Sequence, residues 1–105
     1  MSYLNTLGKH INAINQANGW NVPSPGDWDR PDRVAALLAL THSEVSEALE
    51  AVRGSDWENF EEELADVLIR VLDLGVGLGV DIDAAVEKKL KVNQGRGHRH
   101  GGKRL

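Results

Sequence analysis

Four acidic residues stand in two pairs of the same spacing, Glu44 with Glu47 and Glu63 with Asp66. Residues three apart share one face of a helix, so each pair would aim two carboxylates the same way. If both segments are helices packed side by side, the four carboxylates converge. Ionised, such a cluster repels itself, and partial burial adds a desolvation penalty. A hard divalent cation relieves both, and Mg²⁺ in particular takes oxygen ligands and shares its shell with waters and phosphates. The chemistry to expect is phosphate chemistry, in which the cation activates water and neutralises charge on the transferring phosphoryl group.

The spacing by itself leaves a second reading, a solvated acidic flank, because glutamate is a good helix former and acids near a helix start favour its dipole. Two such pairs on neighbouring amphipathic segments favour the metal site. A di-iron centre would need Glu-x-x-His on each of two helices, and His42 does not follow a glutamate by three.

Helical periodicity supplies the elements that would carry these acids. Residues 2–17 place Leu4, Leu7, Ile11 and Ile14 at steps of three and four and stop at Asn18-Gly19. Residues 20–32 hold all three prolines together with Trp20 and Trp28, a loop by turn chemistry. A second helix is expected from Pro31 or Asp32 to Val52, with a seam of Val34, Leu38, Thr41, Val45, Ala48 and Val52. A third begins after Gly54-Ser55, capped by Ser55 or Asp56, with a seam of Phe60, Leu64, Val67, Val71 and Leu74. It ends in residues 75–79, where glycines at alternate positions weaken the helix and permit close backbone approach. A fourth helix is expected from Asp81 or Asp83 to about Val92, carrying Ile82, Val86 and Leu90. No segment reads as a strand. Each acid of the two pairs stands one residue before a seam position, so the pairs flank the apolar stripes rather than oppose them.

The expected fold class is all-α, an antiparallel bundle of about four helices. A length of 105 residues is what a single domain is expected to have. Its helical part is expected over residues 1–94, followed by a basic glycine-rich tail over 95–105. A chain this short buries roughly two thirds of its unfolded surface, so completion by homo-oligomerisation, as dimer or tetramer, is expected.

Beyond the acid pairs, Lys89-x-x-x-Asn93-x-x-Arg96 follows in order. Together with the stretches 38–50 and 61–69, this set resembles the MazG-like nucleoside triphosphate pyrophosphohydrolases. These form part of an all-α superfamily that also includes dCTP pyrophosphatases and dimeric dUTPases. The resemblance covers about residues 10–96. It implies an obligate homo-oligomer, Mg²⁺ dependence, and hydrolysis of a nucleoside triphosphate, in particular a dNTP, to the monophosphate and pyrophosphate. It further implies that Glu44, Glu47, Glu63 and Asp66 ligate Mg²⁺ and form the catalytic set, with Glu47 preferred as proton acceptor. Lys89 and Asn93 match positions that contact the nucleotide or its phosphates, and Arg96 is a third candidate. A pool-cleansing role in nucleotide metabolism is the expectation.

An aromatic face holds any nucleobase by stacking, which makes Trp20, Trp28 and Trp57 candidates for the base. Trp28 stands sixteen residues before Glu44, as a base-contacting tryptophan does in the dCTP pyrophosphatases. Trp20 takes that place if the proline-rich stretch is an insertion, and Trp57 would approach from the start of the third helix. Packing or an oligomer interface is the competing role of all three. Asn12, Asn15 and Gln16 offer a polar face that could line the pocket from the first helix.

The formal charge of −4 hides a segregation. Residues 1–87 hold 5 basic and all 16 acidic side chains, a net −11, whereas residues 88–105 hold 7 basic and no acidic ones. Read alone, such a tail suggests nucleic-acid contact through phosphates, and a non-enzymatic helical oligomer binding nucleic acid is the alternative function. The acid spacing has no use in such a module, so a nucleic-acid partner is disfavoured. The absence of cysteine excludes disulfides, thiolate metal sites and a cysteine nucleophile. The longest apolar run, residues 34–40, is far below the roughly 20 residues of a membrane span. No signal-peptide pattern opens the chain, and a cytoplasmic location is expected.

Overall fold

The structure is a computed structural model that describes residues 2–95. Four helices follow one another: α1 (Tyr3–Ala17), α2 (Pro31–Arg53), α3 (Trp57–Gly77) and α4 (Ile82–Gly95), with a short 3-10 helix (Pro25–Asp29) between α1 and α2. No strand occurs among the described residues, and no helix there is long and apolar enough to cross a membrane. The all-α expectation holds. The expected helix ends agree closely except that α4 runs on through Gly95, because the Lys-Val-Asn-Gln stretch before that glycine carries nothing that stops a helix.

The first three helices end in the same way. The chain turns into the left-handed region just past each end, and two backbone N–H groups reach back to the last turn, a Schellman arrangement. At α1, Gly19 N donates to Gln16 O and Trp20 N to Asn15 O; at α3, Gly79 N donates to Val76 O and Val80 N to Gly75 O. Gly19 (φ 80°) and Gly79 (φ 88°) supply the positive φ without a side-chain penalty. At α2 the glycine stands one place too early, and the left-handed residue is Ser55 (φ 55°).

α2 and α3 are joined by residues 54–56 and therefore pack as an antiparallel hairpin. Asp56 caps α3 by accepting from Asn59 N at 3.1 Å. The pair closes through small residues, with Thr41, Ala48 and Ala51 of α2 buried. Thr41 and Ala48 belong to the expected seam, as does the buried Leu74 of α3, whereas the seam residues Leu38 (53% exposed), Val45 (49%) and Leu64 (50%) are left uncovered by the single chain. The small positions bring the two backbones together, and the large side chains beside them are turned to one side.

α1 lies against α3, and its Gly8 makes this possible, since a Cβ there would run into the Val76 side chain. α1 and α4 cap each other. Asp83 of α4, wholly buried, accepts from Leu4 N (3.0 Å) and Asn5 N (2.9 Å) at the start of α1. In return the Asn5 side chain accepts from Ile82 N at the start of α4 (2.9 Å) and donates to Asp81 (2.8 Å). Asp81 also accepts from Ala84 N, and these two hydrogen bonds hold its carboxyl below the ordinary value.

The proline-rich loop is seated on the glycine-rich end of α3. A Cβ at Gly77 would stand 2.7 Å from Pro23 O, and Trp28 Nε1 donates to Leu78 O at 2.8 Å. Asp27 accepts from Ser24 N (2.9 Å) and pairs with Arg33 (3.2 Å), which fixes the loop to α2 and keeps the Asp27 carboxyl below its usual range. These contacts place Trp20 beside the α2–α3 hairpin.

Candidate active site

Because α2 and α3 run antiparallel, the acid pairs meet across the hairpin. One oxygen from each of Glu44, Glu63 and Asp66 lies within 4.8 Å of the others. Glu47 stands next to Glu63 on the outer side of this triad, in a depression that Ser43, Ser46, Glu50 and Asn59 also line. Glu63 Oε2 is buried without a hydrogen-bond partner. Burial, and after it the facing carboxylates of Glu47 and Glu44, push the Glu63 carboxyl up to about 7. Without a cation, a proton shared between Glu63 and a neighbouring carboxylate is what relieves the cluster.

A buried carboxylate oxygen with no donor, beside two further carboxylates, is a set of hard, anionic oxygen ligands. It fits Mg²⁺, which takes such ligands and completes its shell with water or phosphate. Softer metals favour nitrogen or sulfur, and no such ligand belongs to this cluster. One cation is already at hand: Arg70 Nε donates to Glu44 Oε1 at 3.1 Å.

On the inner side of the triad opens a cavity of about 520 Å³, bounded by Glu44, Asp66, Arg70 and Asp73 on the hairpin and by Asn15, Trp20 and Pro23 from α1 and the loop. Leu37, Leu40 and Ile69 give it an apolar flank. Its volume is in the range of small-molecule pockets. At the end nearest α1, Asp73 accepts from Asn12 Nδ2 (3.0 Å) and Asn15 Nδ2 (3.2 Å).

The MazG nucleotide pyrophosphohydrolase domain model matches residues 33–100, which include both acid pairs. The chain belongs to this family. A curated relative, the dATP/dGTP diphosphohydrolase of Cyanophage S-2L, is 39% identical over 67 residues, a match covering 63% of this chain and 60% of that protein. The chain thus spans less than two thirds of the relative's length. No solved structure matches.

The fold of this MazG domain brings some candidate residues together and keeps others apart. Glu44, Glu47, Glu63 and Asp66 gather at the hairpin. Of the tryptophans, Trp20 lines the cavity. Trp28 has its indole N–H engaged by the end of α3, and Trp57 stacks edge-to-face on Phe60, with ring centroids 5.8 Å apart; neither borders the cavity. Lys89 and Asn93 are exposed on α4, which packs on α1 and α3, and they do not line the cavity within one chain. Arg96 and the tail of residues 96–105 lie outside the described residues, and so does the nucleic-acid reading that rests on them. Sequence reasoning missed Arg70 and Asp73. The signal was available: they stand four and seven residues after Asp66, on the same helix face, where charge interrupts an otherwise apolar run.

Proposed function

We propose that the protein is a Mg²⁺-dependent nucleoside triphosphate pyrophosphohydrolase that converts a (d)NTP, in particular a dNTP, to the monophosphate and pyrophosphate. The observation that carries this reading is the unpartnered, buried Glu63 Oε2 within the Glu44–Glu63–Asp66 triad at the edge of a nucleotide-sized cavity. Family membership and the diphosphohydrolase relative support the same reaction.

Glu44, Glu63 and Asp66 would hold the cation, with Glu47 completing the set. The cation supplies Lewis-acid activation of water and neutralises charge on the phosphoryl groups. Glu47, exposed beside the triad, would serve as the acceptor for the proton of the attacking water. Arg70 is the cavity's own cation, and in turning from Glu44 it can meet the triphosphate oxygens that carry charge as the α–β bond breaks. Trp20 offers the cavity a ring face for the base. The removal of unwanted nucleotides from the pool is the role that suits this reaction.

We further propose that a second copy covers the apolar side of the hairpin. Leu38, Val45, Leu49 and Val52 on α2, with Leu64, Leu68 and Val71 on α3, form two exposed stripes at helical spacing. Large exposed apolar patches of this kind mark interaction sites. Lys89 and Asn93, remote from the cavity of their own chain, are then candidates to serve a neighbour's site. Incubation with a panel of NTPs and dNTPs plus Mg²⁺, with the products resolved, tests the activity. Monophosphate and pyrophosphate are expected; a diphosphate with orthophosphate, or no turnover, overturns the proposal.

A further inference from the structure

Asp66, Arg70 and Asp73 all line the cavity from α3, at positions i, i+4 and i+7. At 1.5 Å per residue the stripe extends about 10 Å along the helix, comparable to the length of a nucleoside. The metal-binding acids lie at one end, the cation in the middle, and at the other end stands a carboxylate that the reaction does not use.

That carboxylate is held in place. Asn12 Nδ2 donates to Asp73 Oδ1 at 3.0 Å and Asn15 Nδ2 to Oδ2 at 3.2 Å, and the Asn15 side chain is buried. Two neutral amides fix the orientation of Asp73 without cancelling its charge, and no described residue pairs with it as a cation. Each oxygen has two lone pairs, so both retain the capacity to accept from a ligand. Trp20 lines the same cavity.

We propose that Asp73, positioned by Asn12 and Asn15, reads the base of the nucleotide and selects guanine; this rests on the pyrophosphohydrolase reading above. A carboxylate accepts only, and its two oxygens lie side by side, so it fits two adjacent N–H donors. Guanine presents such a pair, N1–H and the N2 amino group. The adenine N6 amino group adjoins the N1 lone pair, the cytosine N4 amino group adjoins the N3 lone pair, and the thymine N3–H lies between two carbonyls. Each of these sets a lone pair against one carboxylate oxygen, a mismatch that costs both binding and rate.

The test compares kcat/KM of the wild-type protein with Mg²⁺ for dGTP, dITP, dATP, dCTP and dTTP, and then for Asp73→Asn. The wild type is expected to favour dGTP, with dITP, which lacks the N2 amino group, lower by on the order of 10-fold. Asp73→Asn should slow dGTP on the order of 10- to 100-fold and raise the rate with dXTP, whose C2 carbonyl suits the new amide. A merely structural role for Asp73 would not produce that gain. Equal wild-type rates for all five bases, or a uniform loss across substrates in Asp73→Asn, would overturn the assignment. If Asp73→Asn does not fold, the wild-type ratio of dGTP to dITP decides. Should no nucleotide be hydrolysed at all, the catalytic reading fails instead. Calorimetry of dGMP against dIMP binding then judges the base assignment alone.

Discussion

Two regions of the molecule each take a carboxylate oxygen out of water, and they treat it in opposite ways. Asp83, at the junction of α1 and α4, has both oxygens occupied by backbone N–H donors at the start of α1. Glu63, in the α2–α3 hairpin, has an oxygen out of water with no donor and two further acids facing it. The first arrangement is how a fold uses negative charge: a helix start needs acceptors for its free N–H groups, and an anion there is favoured by the helix dipole. The second disfavours the ionised carboxylate of the free protein, and a proton or a bound cation would relieve it. Burial alone does not point to a ligand; burial without a partner does.

The contrast can be broken most visibly at Glu63. Glu63→Gln is expected to reduce turnover by more than the roughly 10- to 100-fold that loss of an outer-shell partner costs a metal site, while its melting temperature without metal stays at or above the wild-type value. Product assays and thermal melts on one preparation check both halves. Asp83→Ala should do the reverse. Losing two charge-assisted hydrogen bonds costs about 3 kcal/mol, which for a chain of this size lowers Tm by roughly 10–20 °C, and the activity of the folded fraction should persist at low temperature.

A pH series sharpens the comparison at Glu63 itself. The folded Glu63 carboxyl is raised to about 7 from 4.5, so between these values the native state holds a proton that the unfolded chain releases. The stability this provides is complete below about 4.5 and is lost as the pH rises through about 7. In chelator, the wild type should therefore melt at a lower temperature at pH 8 than at pH 5.5 relative to Glu63→Gln, and Mg²⁺ should remove most of that difference. An equal pH response in the two proteins would show that Glu63 does not hold the proton.

The smallest expected effect lies in the turn between α2 and α3. Ser55 occupies with a side chain the left-handed position that Gly19 and Gly79 fill elsewhere. An L-residue there costs roughly 1–2 kcal/mol, and glycine's greater unfolded-state freedom returns part of it. Ser55→Gly should stabilise the protein by about 0.5–1 kcal/mol, measured by denaturant melts, with the fold of the acid cluster unchanged.

Much of this organisation was legible in the residues. The acid pairs, the four helices and the Asn18-Gly19 stop follow from spacing and local chemistry, which act within a few residues. The side of the hairpin that meets its partner helix was not legible. Thr41 and Ala48 share the expected stripe with Leu38, Val45 and Val52, and only the approach of the backbones shows that the small residues, with Ala51, are enclosed while the large ones are not. Nor was it possible to choose between Trp20 and Trp28, since that turns on one long-range hydrogen bond to Leu78 O. The exchange of caps between Asn5 and residues 81–83 is equally non-local; Asp83 reads from the sequence as a cap for its own helix, yet it serves α1.

That exchange also sets an order of events. The α2–α3 hairpin closes over a short link, whereas the bonds between Asn5 and Ile82 or Asp83 join residues 77 and 78 positions apart. Loop closure grows more demanding with length, and contacts distant in sequence form late. The acids are therefore expected to meet before the α1 wall that carries Asn12 and Asn15 docks. On the proposed reading the cation site belongs to the hairpin alone and the cavity only to the docked molecule, so Mg²⁺ should still protect hairpin amides from hydrogen exchange in an Asn5→Ala variant whose α1 is loosened.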